Sequence, residues 1–418
     1  MAMCVEDGIS SFPDHILFHI LSFLPIKEAV RTSIISTKWR YLFASISTIK
    51  FDGYLMRGLT DRNVDSFKNF VDRLLKFPDQ VSLDCFRLND IVSWNDKDHN
   101  FDVSGWICAA LCRGVKEIDL DLKNLGDTLP ALLFTCHSLV TLKLDAVGSE
   151  IKVPSDVCLG NLKTLQLRNS VLFGDSIHRL ISNCHVLEDL AFIECGFDNI
   201  SEVNIQSPSL KRLVLEFDVT EGRYFNYVVV INAPNLVYFQ YHAAVAKSYT
   251  LSTMKSLEKA DISIYQFDSI DCETSATHLI QGICNIFRTS RLPIFHNLIE
   301  FKYLGVGFNG RETWLVEFLH CVPNLKTLTL NFPDDAGTRW KALRMKVPSC
   351  LSFHLKEIEI SYFDTHMIEM VSFFLDNAMV LEKLIISMAA LTWRQKCEAQ
   401  NKLLQLLKRS KKSLIVIL

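Results

Sequence analysis

The amino-acid sequence predicts an α/β protein in which a short helical block precedes a solenoid of parallel strands with helices outside. Three observations lead to this prediction. An L-x-x-L-x-L frame recurs along most of the chain, apolar residues at helical spacing precede several copies of it, and a dense apolar block without the frame occupies residues 9–51. A repeat period in the twenties is typical of units that cannot fold alone but stack on their neighbours.

The frame is clearest in Ser138–Leu144, where Leu139, Leu142 and Leu144 hold its three apolar positions. Further copies start at Val115, Leu162, Leu187, Leu210, Leu236, Leu257, Leu298, Leu325, Leu355 and Leu381. Successive copies lie 21 to 30 residues apart, except for one step of 41. Because apolar and polar residues alternate in each frame, each is predicted to form a short strand with one buried face. The interior positions are expected at Leu142, Leu165, Leu190, Leu213 and Leu328.

A helix is predicted between successive strands. Parallel strands need a connection of about a dozen residues or more, usually a helix. The residues before Leu187 show the pattern, since Ile177, Leu180, Ile181 and Cys184 fall on one helical face. The same offsets hold before Leu139, Leu325 and Leu381, with apolar residues at Leu129, Leu132, Leu133 and Cys136, at Leu315, Phe318, Leu319 and Val322, and at Val371, Phe374, Leu375 and Ala378. Each unit is therefore expected to be a strand plus a helix.

Residues 9–51 should form three helices. The first follows Pro13, carries Ile16 and Ile20 on one side, and ends at Pro25; the third contains Trp39. Domains of about forty residues usually need outside help to fold, so this block cannot bury all of its apolar groups. The surplus apolar face predicts a partner surface. The alternative is that the same residues pack on the repeats that follow.

The block resembles an F-box. It matches the family pattern at Pro13, Asp14, Ile16, Leu17, Ile20, Leu21, Leu24, Pro25, Ala29, Val30, Ser33, Ser36, Trp39 and Arg40, with Phe12 in place of the usual Leu and His15 in place of the usual acid. The resemblance implies a face that binds the Skp-type adaptor of a cullin ubiquitin ligase. The implied contact residues are Phe12, Pro13, Ile16, Leu17, Ile20, Leu24, Pro25, Ala29, Val30 and Trp39.

The rest of the chain resembles the irregular leucine-rich-repeat solenoid of plant F-box proteins. The expected organisation is a tail at 1–8, an F-box at 9–51, an irregular capping region at 52–113, leucine-rich repeats at 114–346, and an FBD-like C-terminal segment at 347–418. Leu414–Leu418 is expected to be an edge strand. The role of the FBD-like segment does not follow from its residues.

Composition narrows the possible functions. A net charge of -3 over 418 residues gives no reason to expect a nucleic-acid partner. The sequence shows no apolar run long enough for a membrane span and no secretory signal, so an intracellular protein without a membrane partner is expected. Nucleus and cytoplasm are not distinguished. The thirteen cysteines are then predicted to be mainly buried thiols.

Catalytic and cofactor motifs were not found. The sequence contains no Gly-rich phosphate loop, G-x-S-x-G elbow, H-E-x-x-H helix or C-x-x-C pair. We therefore predict no catalytic residue, no metal site and no cofactor. Repeat solenoids mostly offer binding surfaces.

A target protein is expected to bind the concave surface, which is lined by residues that alternate with the leucines. These include Thr141, Lys143, Asp189, Arg212, Tyr238, Gln240, Glu300, Lys302, Thr327 and Thr329. The favoured candidates are Arg212, Tyr238 and Gln240, followed by Lys143, Asp189 and Lys302, because Arg and Tyr often anchor interfaces. For any single residue the alternative is a solvated sheet face.

The predicted function is that of a non-catalytic substrate-recognition subunit of an SCF-type ubiquitin ligase. Its partners would be the Skp-type adaptor, a cullin reached through that adaptor, and a target protein of unknown identity. Two alternatives remain open. One is an adaptor-binding protein outside ubiquitin transfer, and the other is a small-ligand receptor that uses the same solenoid.

Overall fold

A computed structural model of the chain describes residues 8–24, 26–32, 39–42, 46–51, 64–75, 82–89, 102–121, 129–198, 200–217, 227–244, 246–252, 254–265, 295–305, 314–332, 346–388, 392–407 and 414–418. These residues belong to two compact units. The first lies within Met1–Leu187 and Glu194–Asn199, and the second within Glu188–Ile193 and Ile200–Leu418.

The first unit begins with the three predicted helices, α1 (Asp14–Ser22), α2 (Ile26–Arg31) and α3 (Trp39–Leu42). Pro13 directly precedes α1, and its carbonyl accepts hydrogen bonds from Ile16 N at 2.9 Å and Leu17 N at 3.2 Å. Proline suits this place because its missing N–H is not needed where a helix starts.

A parallel sheet follows within the first unit. Its strands are β1 (Thr48–Phe51), β2 (Cys85–Leu88), β3 (Glu117–Asp121), β4 (Thr141–Glu150) and β5 (Thr164–Phe173), paired in that order. Between them lie α4 (Val64–Leu75), α5 (Val103–Cys112) and a 3₁₀ helix (Ala131–Thr135), and α6 (Ser176–Ser182) follows β5. Strand β1 lies inside the region predicted as the F-box, so the sheet begins before residue 52.

The second unit continues with parallel strands. Chain order gives β6 (Asp189–Asp198), of which residues 189–193 lie in this unit, β7 (Glu202–Gln206), β8 (Arg212–Phe217), β9 (Val228–Asn232), β10 (Tyr238–Ala244), β11 (Ser248–Leu251), β12 (Lys259–Tyr265), β13 (Glu300–Leu304), β14 (Thr327–Asn331), β15 (Glu357–Ser361), β16 (Lys383–Ile386) and β17 (Leu414–Ile417). The main sheet of this unit has the order β6-β8-β10-β12-β13-β14-β15-β16-β17.

The repeat leucines form the interior, as predicted. Leu142, Leu165, Leu190, Leu213 and Leu328 each have 0% of their surface exposed. The residues that alternate with them lie on the opposite side of the strands, because successive side chains of a strand point to opposite faces. We call this opposite side the polar face of each sheet.

In several repeats a helix connects one strand to the next, as predicted. Besides α6, these helices are α7 (Trp314–Cys321), α8 (Ser349–Phe353), a 3₁₀ helix (Thr365–Met367), α9 (Ile368–Asn377) and α10 (Trp393–Leu407). The packing is direct, since the Phe318 ring of α7 lies 4.2 Å from the Phe301 ring of β13, centroid to centroid. The patterns before Leu187, Leu325 and Leu381 therefore predicted helices correctly.

The expectation of a helix in every repeat is wrong for three consecutive repeats. There the returning segments are β7, β9 and β11, which form a separate parallel sheet in the order β11-β9-β7. In β7 and β9 the buried side chains alternate, as in Val229 and Ile231, and β9 is rich in β-branched residues. Such residues favour strands over helices. Before Leu139 the predicted α-helix is the 3₁₀ helix, and Leu132 is 45% exposed.

A ladder of asparagines ties the strand entrances together. In four repeats the residue directly before the first frame position is an asparagine, and its side-chain amide donates to a carbonyl of the preceding repeat. The bonds are Asn161 Nδ2 to His137 O at 2.7 Å, Asn235 Nδ2 to Pro208 O at 2.8 Å, Asn297 Nδ2 to Lys255 O at 3.0 Å, and Asn324 Nδ2 to His296 O at 2.8 Å. Polar side chains thus satisfy turn carbonyls that no strand can reach.

The cysteines within the described ranges are free thiols. Cys136 and Cys184 are buried, at 9% and 2% exposure, on the faces predicted from the helical spacing. Burial raises the pKa of the Cys184 thiol to about 12. That side chain therefore remains a neutral part of the core at physiological pH.

Candidate functional site

An apolar stripe on the N-terminal helices is open to solvent. Phe12, Ile16, Ile20, Phe23 and Leu24 are 46%, 38%, 36%, 74% and 37% exposed. We call these five residues the α1 stripe. Ile20 follows Ile16 by four residues and Phe23 follows Ile20 by three, so these side chains share one side of the helix. The same spacing could have identified Phe23, which was not among the predicted contacts.

Three of the predicted adaptor contacts are in fact interior. Leu17 and Ala29 have 0% exposure and Trp39 has 2%. They form one apolar cluster with Leu21 and Leu42, against which Phe18 and Ile46 also pack. Trp39 is further anchored, because its Nε1 donates to Ser10 Oγ at 3.0 Å.

These three residues hold α1, α2 and α3 together. Their contact with the adaptor stays a prediction. The family pattern marked them correctly as part of the helical block, but a linear pattern does not separate the side chains that support a surface from those that form it.

Two further predicted contacts lie on α1 and α2 or next to them. Pro13 is exposed at the start of α1, and Val30 on α2 is partly buried. Pro25 lies outside the residues that the structure describes.

A continuous polar network crosses the polar face of the second unit. Arg212 Nη1 contacts Asp189 Oδ1 at 3.0 Å, and the Arg212 guanidinium lies over the Tyr238 ring, 5.2 Å from its centroid. Tyr238 Oη donates to Gln240 Oε1 at 2.8 Å. The Gln240 amide then meets His242 Nδ1 at 3.3 Å. The structure therefore brings together four of the six favoured candidates: Asp189, Arg212, Tyr238 and Gln240.

The network extends to the neighbouring strand. His242 Nε2 lies 3.0 Å from Asp261 Oδ1, and both side chains are partly buried. Sequence reasoning did not single out His242, because a lone histidine on a strand carries no signal until its partner across the sheet is known. Burial raises the pKa of the Tyr238 hydroxyl, so the residue stays a neutral hydrogen-bond donor.

Lys302 belongs to a second cluster on the same face. Glu300 contacts Lys259 Nζ at 2.8 Å and Lys302 Nζ at 3.4 Å. The hydrogen bond from Lys259 holds the pKa of the Glu300 carboxyl below its ordinary value. The Glu300 carboxylate thus partly neutralises the positive charges of Lys259 and Lys302. This part of the polar face therefore carries charges of both signs and is not simply basic.

Lys143 lies on the polar face of the first unit. It borders a cavity of about 270 Å³ lined by Asn89, Asp119, Asp121, Lys143, Leu144, Asp145, Gln166 and Arg168. This candidate is therefore part of a charged hollow and not of the network around Arg212.

The described residues offer no cluster of metal ligands. No group of three or more His, Cys, Asp or Glu side chains there could hold a metal ion. Among those same residues no helix combines the length and apolar character needed to cross a bilayer.

Comparison with known families gives three matches along the chain. The family model described as FBD-associated F-box protein At5g56370, LRR repeats, matches residues 103–330. The F-box domain model matches residues 9–50, and the FBD model matches residues 345–386.

Curated relatives from Arabidopsis thaliana match over most of their length. The F-box/LRR-repeat protein At3g59200 is 32% identical over 91% of this chain and 82% of its own length. The putative F-box/FBD/LRR-repeat protein At3g59240 is 31% identical over 92% of this chain and 84% of its own length. The name of the second relative combines the same three segments that match along this chain.

Proposed function

Since the chain belongs to the plant F-box proteins that combine leucine-rich repeats with an FBD segment, we propose that it is the substrate-recognition subunit of an SCF-type cullin ubiquitin ligase. Its F-box would bind a Skp-type adaptor, which connects it to a cullin. Its repeats would hold a target protein. The F-box and the repeats together suggest this role.

The observation that carries the proposal is the α1 stripe. Its five apolar side chains remain open to solvent although a packed cluster lies directly beneath them. Removing such groups from water stabilises a complex by roughly 25 cal/mol per Å² of apolar surface. Exposed apolar groups gathered on one helix are typical of a protein–protein interface.

The polar face of the second unit supports a role in holding a target. Arg212 and Tyr238 are of the residue types most often found as interface anchors. Asp189 and Gln240 already hold both side chains in place. A partner would therefore lose less conformational entropy on binding here than on a face with loose side chains.

The chain would contribute proximity and not chemistry. Other subunits would transfer ubiquitin, and this one would convert an encounter between ligase and target into a held geometry. Accordingly, the proposal assigns no catalytic residue to this chain.

Co-purification of the full chain with a Skp-type adaptor tests the proposal. We expect a stable complex that recruits the cullin and transfers ubiquitin to bound proteins. Failure to bind the adaptor would overturn the proposal. Adaptor binding without cullin recruitment would favour the role outside ubiquitin transfer, and capture of targets only after a small molecule is added would favour the ligand receptor.

A further inference from the structure

The charged cavity of the first unit has a regular arrangement of charges. One row of aligned residues runs Arg87, Asp119, Lys143 and Gln166 across β2, β3, β4 and β5. The next row runs Asp121, Asp145 and Arg168 across β3, β4 and β5. Carboxylates therefore predominate at β3, the cation Arg168 lies at β5, and β4 carries one charge of each sign.

Lys143 has no counter-ion among the residues that the structure describes. Its neighbour Asp119 is already engaged, since Arg87 Nε lies 2.8 Å from Asp119 Oδ2. Among the described residues the Lys143 ammonium has neither an ion-pair nor a hydrogen-bond partner. By contrast, the cations Arg212, Lys259 and Lys302 on the polar face of the second unit each contact a carboxylate.

Two carboxylates stand directly opposite each other beside Lys143. Asp121 and Asp145 are aligned on β3 and β4. Carboxylates on adjacent strands present negative charge to the cavity, which favours a cationic group bound there. Asp145 is held in position by a hydrogen bond from Asn169 Nδ2 at 2.9 Å.

Three further polar groups line the cavity, Asn89, Gln166 and Arg168. The side-chain oxygen of Asn89 is buried and has no donor among the described residues. With the Gln166 amide oriented so that its oxygen faces Arg168, that oxygen accepts hydrogen bonds from Arg168 Nη2, at 2.6 Å, and Nε. This contact fixes the guanidinium at the β5 side of the cavity.

The size and lining of the cavity distinguish between kinds of occupant. Its volume of about 270 Å³ lies below the usual range for small-molecule sites, roughly 300–1,000 Å³. Such sites are mostly apolar, whereas five of the eight residues that line this one are charged. Charged side chains of a protein therefore fit it better than a drug-sized ligand.

We propose that this cavity binds a segment of the target protein that presents one basic and one acidic side chain. The basic group lies against Asp121 and Asp145, and the acidic group lies against Lys143 and Arg168. Neighbouring strands are about 4.8 Å apart, so groups on β3 and β5 are separated by roughly 10 Å and can receive the two side chains side by side. This inference rests on the proposed function, because it names the kind of target surface that the repeats recognise.

Peptide binding to the full chain, co-expressed with its adaptor, tests this inference. The probes are labelled synthetic peptides of one neutral backbone that carry Arg and Glu at several spacings, Arg alone, Glu alone, or neither. Fluorescence anisotropy would measure their affinity, and free arginine and free glutamate would serve as competitors. We expect binding only by peptides that carry both charges, at a particular spacing.

Matched variants identify the site. Lys143→Glu should weaken the best peptide by about tenfold or more, as expected for a charge pair shielded from solvent. The control is Lys383→Glu, which changes another half-buried polar-face lysine that has no ion pair among the described residues; it should change affinity by less than about twofold. Both variants should keep the wild-type melting temperature and bind the adaptor.

Several outcomes would overturn the inference. These are the absence of binding by any peptide, equal binding by singly charged peptides, equal losses in the two variants, and displacement by free amino acids at the same concentration as peptide. Adaptor binding, measured in the same samples, separates this failure from failure of the proposed function. If the adaptor binds and the peptides do not, only the cavity assignment is wrong.

Discussion

Arg212 lies over the ring of Tyr238, with its guanidinium carbon 5.2 Å from the ring centroid, while its Nη1 contacts Asp189 at 3.0 Å. The guanidinium is thus shared between a carboxylate on β6 and an aromatic face on β10. A cation at this distance from an aromatic ring is attracted by the ring quadrupole. Two residues 26 positions apart in sequence form one rigid surface because their strands are aligned, Tyr238 opposite Arg212.

This pair gives the first prediction. Changing Arg212 and Tyr238 together to Ala should leave folding and adaptor binding intact but weaken target binding by more than about 2 kcal/mol if both are anchors. Proximity labelling would compare ubiquitinated neighbours of the variant and of the wild type. A Thr327→Ala, Thr329→Ala double variant is the control, since it changes neutral residues on the same face. An unchanged set of neighbours in the Arg212, Tyr238 variant would move the binding site elsewhere, with the segment after Val347 as the next candidate.

The second prediction concerns the α1 stripe. Ile20→Asp combined with Leu24→Asp should abolish co-purification with the adaptor, because a charged group would have to lose its water in an apolar interface. Phe353→Asp, at a residue 70% exposed on α8, is the matched control and should bind normally. If the stripe variant were recovered with the adaptor at wild-type yield, this surface would not be the adaptor site.

The third prediction separates the interior of the sheet from its polar face. Leu328 is fully buried on β14 and its neighbour Thr329 is not. Leu328→Ala should lower the free energy of unfolding by about 2 to 5 kcal/mol. Thr329→Ala should change it by less than about 0.5 kcal/mol, as is usual for surface positions. Urea unfolding measures both, and a larger loss for Thr329→Ala than for Leu328→Ala would mean that the two faces have been interchanged.

The fourth prediction uses the asparagine ladder. Asn324→Ala removes the donor to His296 O, and we expect a loss of about 1 kcal/mol, typical of one intramolecular hydrogen bond. Asn324→Ser, whose hydroxyl is another donor, should recover part of this. Urea unfolding of both variants decides it, and an alanine variant as stable as the wild type would show that water replaces the side chain.

The fifth prediction is a pH dependence. Lys259 holds the pKa of Glu300 below its ordinary value of 4.5. A depressed carboxyl pKa stabilises the fold above that ordinary value, and the stabilisation disappears as the pH falls through the folded-state pKa. The melting temperature of Glu300→Gln should therefore lie below that of the wild type at pH 7, and the gap should close in acid below pH 4.5.

A matched carboxylate checks that prediction. Glu357 on β15 makes no ion pair within the described ranges, although it aligns with Thr327 and Lys383. Glu357→Gln should therefore show no comparable gap at pH 7. A gap of equal size in both variants would mean that overall charge, and not the contact with Lys259, is responsible.

Much of the site and the fold follows from local patterns in the chain. Alternation around Leu142 or Leu328 specifies which side of a strand is buried, because the period of a strand is two wherever the strand lies. Helical spacing around Ile177 or Val371 specifies a returning helix in the same way. The apolar block around Ile16 and Ile20 likewise predicts more apolar surface than three short helices can bury among themselves.

The sequence by itself therefore determined the α/β class, the strand register of the repeats and the presence of an exposed apolar stripe at the N-terminal helices. Tertiary structure decided the rest. The segments before Leu210, Leu236 and Leu257 form the strands β7, β9 and β11. Each of them pairs with the corresponding segment of a neighbouring repeat, and that pairing exists only in the folded chain. Tertiary structure also buried Trp39 and joined Arg212 to Tyr238. Such contacts bring together residues far apart in sequence, and their energies depend on distances that no local period contains.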